Sequence, residues 1–148
     1  MKKILFVCTG NTCRSPMAEI ILKNKIKQAQ LTGYRVSSAG LSALNGSKMS
    51  ENSAKALKLL GYKPYGFKSK QLTEKHLHAY DLIICMTEEH KRYLSGLANV
   101  KTFGEMTGLG DVPDPYGREL DIYEKTAYCI SAGCEIILSR LINEKGDN

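Results

Sequence analysis

Four apolar residues in a row, Ile4-Leu5-Phe6-Val7, follow two lysines and precede Cys8-Thr9-Gly10-Asn11. So short a β-favouring run, with no polar residue in it, reads as a strand buried on both faces. Gly10-Asn11 breaks it, so a loop begins at about Cys8. Ser15-Pro16 then reads as a helix start, with serine as the cap and proline at the first helical position. Ala18, Ile21, Leu22, Ile26 and Ala29 continue an apolar stripe at helical spacing, and Gly33 is read as the end of that helix. Tyr34-Arg35-Val36-Ser37-Ser38 forms a second strand, and Ser53 to Leu60 a helix closed by Gly61.

The alternation continues. A short helix near Thr73 to Ala79 leads into the apolar strand Leu82-Ile83-Ile84-Cys85. Glu88 to Leu94 is helical, and Val100-Lys101-Thr102-Phe103 is a fourth, weaker strand. From Gly104 to Gly117 glycine, proline and aspartate recur too often for a regular element, so this stretch is predicted as one long loop. A final helix runs from about Leu120 to Ile142, and Glu144 to Asn148 are expected to fray. Strands alternating with helices imply an α/β fold around a parallel sheet. With no internal repeat, low-complexity tract or linker, residues 1–148 read as a single domain.

Composition narrows the function classes. The apolar run behind Met1-Lys2-Lys3 is too short for a secretion signal, and no stretch approaches a membrane span, so a cytoplasmic protein without a membrane partner is expected. The formal charge of +6 favours anionic partners, but the lysines are scattered, and no nucleic-acid partner is expected. The loose cluster Lys63, Lys68 and Lys70 reads as solvated surface, as do His76, His78 and His90. The five cysteines fit no zinc spacing, and a reducing compartment would keep them as thiols. Cys85, Cys129 and Cys134 lie in apolar stretches and read as packing residues. Cys13 is open to two readings, a redox partner of Cys8 or a loop-packing thiol.

Cys8 and Arg14 carry the chemical signal. Six positions apart, they bracket a loop between a buried strand and a helix N-terminus. Backbone N–H groups of such a loop converge on anion oxygens, the helix end favours negative charge, and an arginine fork binds two oxygens of a phosphate. Electropositive settings of this kind favour thiolates, which attack phosphorus without a separate base, so Cys8 is the candidate nucleophile. Leaving-group departure needs a proton. Asp114, held between Pro113 and Pro115, is the candidate acid, and once ionised it is the base that activates water against a phosphocysteine. The scheme calls for no metal and no other cofactor.

Cys-x5-Arg-Ser after the first strand and the late Asp114-Pro115-Tyr116 loop together resemble the low-molecular-weight protein tyrosine phosphatases, over nearly the whole chain. The resemblance implies a flavodoxin-like three-layer sandwich, with a four-stranded parallel sheet in the order 2-1-3-4. It implies that Cys8 is the nucleophile, that Arg14 stabilises the transition state and that Asp114 is acid and base. Thr9, Gly10, Asn11, Thr12, Cys13 and Ser15 would make up the phosphate loop. Asn11 would hold the loop's unusual conformation, Ser15 would hydrogen-bond the Cys8 sulfur, and Ser38 would brace Asn11. Tyr116 would form one wall of the substrate cleft and Leu44 part of the facing wall. Phosphorylated proteins would be the partners and inorganic phosphate the product.

Within that family, Cys8-Thr9-Gly10-Asn11-Thr12-Cys13-Arg14-Ser15 is identical to the loop of the bacterial protein-arginine phosphatases, whereas phosphotyrosine-directed members usually carry Ile or Leu at the place of Thr12. A threonine hydroxyl suits a guanidinium-bearing substrate, while an aliphatic chain packs on a phenyl ring. The resemblance therefore implies a protein-phosphoarginine phosphatase, with phosphotyrosine as the alternative. One departure is Phe67, where many relatives have a histidine. An arsenate reductase on this fold would need two further relay cysteines, and only Cys85 lies in that region. A non-catalytic phosphate-binding module would be expected to lack Cys8 or Asp114, and both are present.

Overall fold

The computed structural model describes residues 1–94 and 96–146. The strands are β1 (Lys2–Cys8), β2 (Tyr34–Gly40), β3 (Leu82–Cys85) and β4 (Val100–Thr102). The helices are α1 (Arg14–Gln28), α2 (Glu51–Leu59), α3 (Glu74–Ala79), α4 (Glu88–Arg92), α5 (Phe103–Thr107) and α6 (Leu120–Gly146). The strands pair in parallel in the order β2-β1-β3-β4, with Cys8 opposite Gly40 at the end of β1. This is the flavodoxin-like three-layer arrangement. Among the described residues, no helix is long and apolar enough to cross a membrane.

Successive residues of a strand face opposite sides of a sheet, so a strand covered on both sides must be apolar at every position. β1 shows this directly. Ile4, Phe6 and Cys8 join the core on the side of α1 and α6, while Leu5 and Val7 pack with Ile83, Cys85, Leu94 and Val100 on the other. Burial pushes the Cys85 thiol up to about 12 and raises that of Cys134 as well, so both remain protonated at neutral pH. The sheet order reverses between β1 and β3, and in open parallel sheets the crevice at the carboxyl ends of the strands beside such a reversal takes ligands. The loop after Cys8 leaves from this point.

Several element boundaries differ from expectation. α1 begins at Arg14 with Cys13 at the cap position and no side-chain cap; Ser15, expected as the cap, lies inside the helix with its hydroxyl on Cys8 and Asn11. The same helix ends at Gln28, with Gln30 in the left-handed region at φ 57°; Gly33, at φ 86°, instead sets the turn into β2. The stretch predicted as one loop contains α5. Thr102 Oγ1 accepts from the Glu105 N–H at 2.9 Å and the Glu105 carboxylate accepts from the Thr102 N–H at 3.2 Å, a capping box that starts a helix before Gly108 stops it at φ 77°. Finally, residues 144–146 continue α6 rather than fraying. Lys2 pairs with Glu144 at 2.8 Å and Lys145 donates to the Thr32 carbonyl at 2.9 Å. Residues 147 and 148, the remainder of the segment expected to fray, lie outside the described residues.

Candidate active site

A thiol at the end of β1 and a guanidinium at the start of α1 are joined by a loop that must turn sharply. Asn11 makes the turn in the left-handed region at φ 56°, which asparagine tolerates better than most residues. Its side chain is fully buried and fully used. Nδ2 donates to Ser15 Oγ at 2.8 Å and to Ser38 Oγ at 2.9 Å, and Oδ1 accepts from the Lys70 N–H at 2.9 Å. Ser15 Oγ lies 2.9 Å from Cys8 Sγ, and Ser38 Oγ donates to Glu19 Oε1 at 2.8 Å. A continuous polar chain thus runs beneath the loop from Glu19 on α1 to the Cys8 sulfur.

β2 packs against the loop so closely that its last residue has no room for a side chain. A Cβ on Gly40 would lie 2.7 Å from the Thr9 carbonyl oxygen and 2.9 Å from the Asn11 nitrogen. Gly40→Ala is therefore expected to destabilise the fold by about 1–3 kcal/mol through displaced backbone. Urea denaturation checks this, and a change within about 0.5 kcal/mol, the range of a neutral surface substitution, would show that the loop yields without cost.

Arg14 is only 5% exposed. Its guanidinium donates to the Val112 carbonyl at 3.0 Å and lies 3.6 Å from Asp114 Oδ2, while Nε has no partner among the described residues. Val112 is itself anchored, its N–H donating to the Met86 carbonyl at 3.0 Å. The 111–117 loop is thereby tied both to the end of β3 and to Arg14. Asp114 Oδ1 also accepts from the Tyr116 N–H at 3.1 Å, so the carboxylate is oriented by its own loop.

Cys8, Thr9, Gly10, Thr12, Cys13, Arg14, Asp114 and Tyr116 line one cavity of about 240 Å³. It offers a thiol, a guanidinium and a carboxyl to one small anion. Tyr116 stands at its rim, 76% exposed. Asn11, Ser15 and Ser38 lie behind the loop rather than in the lining. Leu44, expected in the facing wall, is 78% exposed and does not line the cavity. Its carbonyl accepts from the Ser69 hydroxyl and its side chain projects into solvent. Cys13 contacts Ser50 Oγ at 3.4 Å and Tyr123 OH at 3.6 Å; burial and that thiol contact push the Tyr123 phenol up to about 12.

Two polar residues beside the loop were not anticipated. His90, read as a surface residue, is 5% exposed, and Nε2 lies 3.0 Å from Thr9 Oγ1. Burial, and then the nearby Arg14, lower its pKa to about 4, so it is uncharged at neutral pH. Its place just past β3, at the carboxyl edge of the sheet, was the available signal. Glu19 sits next to the apolar stripe of α1, where a carboxylate reads as solvated, and sequence pattern offers no sign that it supports the loop.

Residues 3–147 match the family described as low molecular weight phosphotyrosine protein phosphatase. A protein-arginine phosphatase of Geobacillus stearothermophilus is 40% identical over 128 residues, covering 82% of this chain and 83% of that protein. The low molecular weight protein-tyrosine phosphatase YfkJ of Bacillus subtilis is 33% identical over 156 aligned positions, covering 98% of this chain and 99% of its own. Among solved structures, the YwlE arginine phosphatase of G. stearothermophilus superimposes with a TM-score of 0.90 at 32% identity, over 100% of this chain and 97% of that one.

Proposed function

The chain belongs to the low molecular weight phosphotyrosine protein phosphatase family and is a cysteine-based protein phosphatase; from that premise we propose that it removes phosphate from protein phosphoarginine through a phosphocysteine at Cys8. The observation that carries the mechanism is the convergence of Cys8, Arg14 and Asp114 on one cavity of about 240 Å³. The Cys8 thiolate attacks phosphorus in line with the leaving nitrogen, so that a P–S bond forms as the P–N bond breaks. Asp114 gives its proton to the departing nitrogen, and the freed arginine leaves as a guanidinium. Arg14 and the loop N–H groups hold the three equatorial oxygens as charge spreads over them. Asp114, now a carboxylate, takes a proton from the water that attacks phosphorus. The P–S bond breaks, phosphate departs, and the thiolate returns to its place beside Ser15 Oγ, 2.9 Å away.

Thr12 supports phosphoarginine over phosphotyrosine. It lines the cavity, its carbonyl is held by the Ser50 N–H at 2.9 Å, and among the described residues its hydroxyl meets only the Cys13 sulfur at 3.9 Å. That hydroxyl is available to a polar substrate, and Asp114 stands by as a partner for a guanidinium. The test is the ratio of kcat/KM on matched phosphoarginine and phosphotyrosine peptides, for the wild type and for Thr12→Ile. Wild type is expected to favour phosphoarginine, and the substitution is expected to shift the ratio toward phosphotyrosine by roughly tenfold or more, since the aliphatic chain leaves the guanidinium N–H groups unpaired. A wild-type preference for phosphotyrosine that Thr12→Ile leaves in place would assign the chain the activity for which YfkJ is named.

A further inference from the structure

A second cavity, of about 530 Å³, shares Thr9, Arg14 and Asp114 with the first, but Tyr116 does not line it. The remaining walls come from Leu41 and Ser42 beyond β2, from Thr87, Glu89, His90 and Tyr93 around α4, and from Asp111. Sharing those three residues, this opening lies directly beside the first cavity.

The charge here opposes that of the chain, which is +6 overall. Glu89 and Asp111 are exposed carboxylates, and among the described residues Glu89 has no ion pair or side-chain hydrogen bond. Among the described residues Asp111 accepts only the Glu88 N–H, at 3.0 Å through Oδ1. The one cationic side chain in the lining, Arg14, is buried and already bound to Val112 and Asp114. His90 is 5% exposed and its Nδ1 has no partner among the described residues. Tyr93 adds an exposed ring, a surface on which a cation stacks, and Leu41 an apolar wall for a methylene stem.

We propose that this cavity is a substrate subsite for a lysine or arginine side chain close to the phosphorylated residue, its cationic head between Glu89 and Asp111 and its stem along Leu41 and Tyr93. The proposal rests on the phosphoprotein reading above and adds sequence preference to it. The contact is the same before and during phosphoryl transfer, so it lowers KM and leaves kcat unchanged.

The test uses two phosphopeptides that differ only in carrying Lys or Glu beside the phosphoresidue, with a small phosphoester as a reference lacking both. For wild type, kcat/KM is expected to favour the Lys peptide by about fivefold, a rim-charge effect that shrinks as salt is raised. Glu89→Gln with Asp111→Asn, the latter keeping an acceptor for the Glu88 N–H, is expected to bring the ratio close to one. Should the double variant fail to fold, the salt dependence of the wild-type ratio decides alone. Equal efficiency on both peptides, or a preference that survives in the variant, overturns the subsite while turnover of the small ester leaves the phosphatase reading intact. Wild type inactive on the ester and on both peptides would overturn that reading and the subsite with it.

Discussion

Cys8→Ser is expected to lose turnover by at least about 10³-fold while still binding inorganic phosphate. Among the described residues, no basic side chain is hydrogen-bonded to that position. The side-chain partner of Cys8 is Ser15 Oγ, 2.9 Å away, while the nearby imidazole, His90, is bound to Thr9. A serine ester would also release phosphate more slowly than a thiol ester, because an alkoxide is a poorer leaving group than a thiolate. Phosphate binding should persist because it relies on groups the substitution leaves alone: the loop N–H groups, the first turn of α1 and the Arg14 fork. Steady-state rates on a small phosphoester and a calorimetric phosphate titration check the two halves. A variant within tenfold of wild type would exclude Cys8 as nucleophile, and lost phosphate binding would show that the thiolate's absence had deformed the loop.

Asp114→Ala is expected to slow the first phosphoryl transfer by about 10²–10⁴-fold, most of all for leaving groups that depart poorly without a proton. Arg14 should keep its orientation in the variant, since the Val112 carbonyl holds it at 3.0 Å whether or not Asp114 is present. Asp114→Asn is the informative companion. Asparagine preserves an acceptor for the Tyr116 N–H and nearly the same shape, yet has no proton to give in the acid's role, so it should fall about as far as alanine. Single-turnover rates on aryl phosphates of graded leaving-group acidity provide the measurement. The dependence on leaving group should steepen in both variants. An unchanged slope, or near-native activity in the asparagine variant, would remove Asp114 from proton transfer and leave it a loop-orienting residue.

What was legible in the chain was local. The run Ile4 to Val7 reads as a doubly covered strand because burial on both faces forbids polar residues, and the structure places alternate members in opposite cores. The grouping of residues 8–15 was legible because strand end, turn, guanidinium and helix start fall within eight consecutive positions. Misreadings arose where a residue's partner lies elsewhere. Ser15 looked like a helix cap but is held by Asn11 and Cys8, and the stretch after Gly104 looked broken because its cap begins outside it, at Thr102. Leu44 was assigned to a wall by likeness to relatives, and the 41–50 loop carries it away from the cavity.

Sequence alone was enough to establish the alternation of elements, the parallel sheet and the group of residues around Cys8, because periodicity and loop chemistry are properties of neighbours along the chain. Tertiary structure decided that Asp114 meets Arg14 across one hundred positions at 3.6 Å, that Glu19 and Ser38 support Asn11, and that a histidine assigned to the surface is buried against Thr9. The physical reason is that hydrogen bonds and desolvation depend on distance in space. A carboxylate on a helix or an imidazole after a strand has the same local pattern whether it faces water or the underside of the loop after β1, and only the packing of α1, β2 and α4 around β1 distinguishes the two.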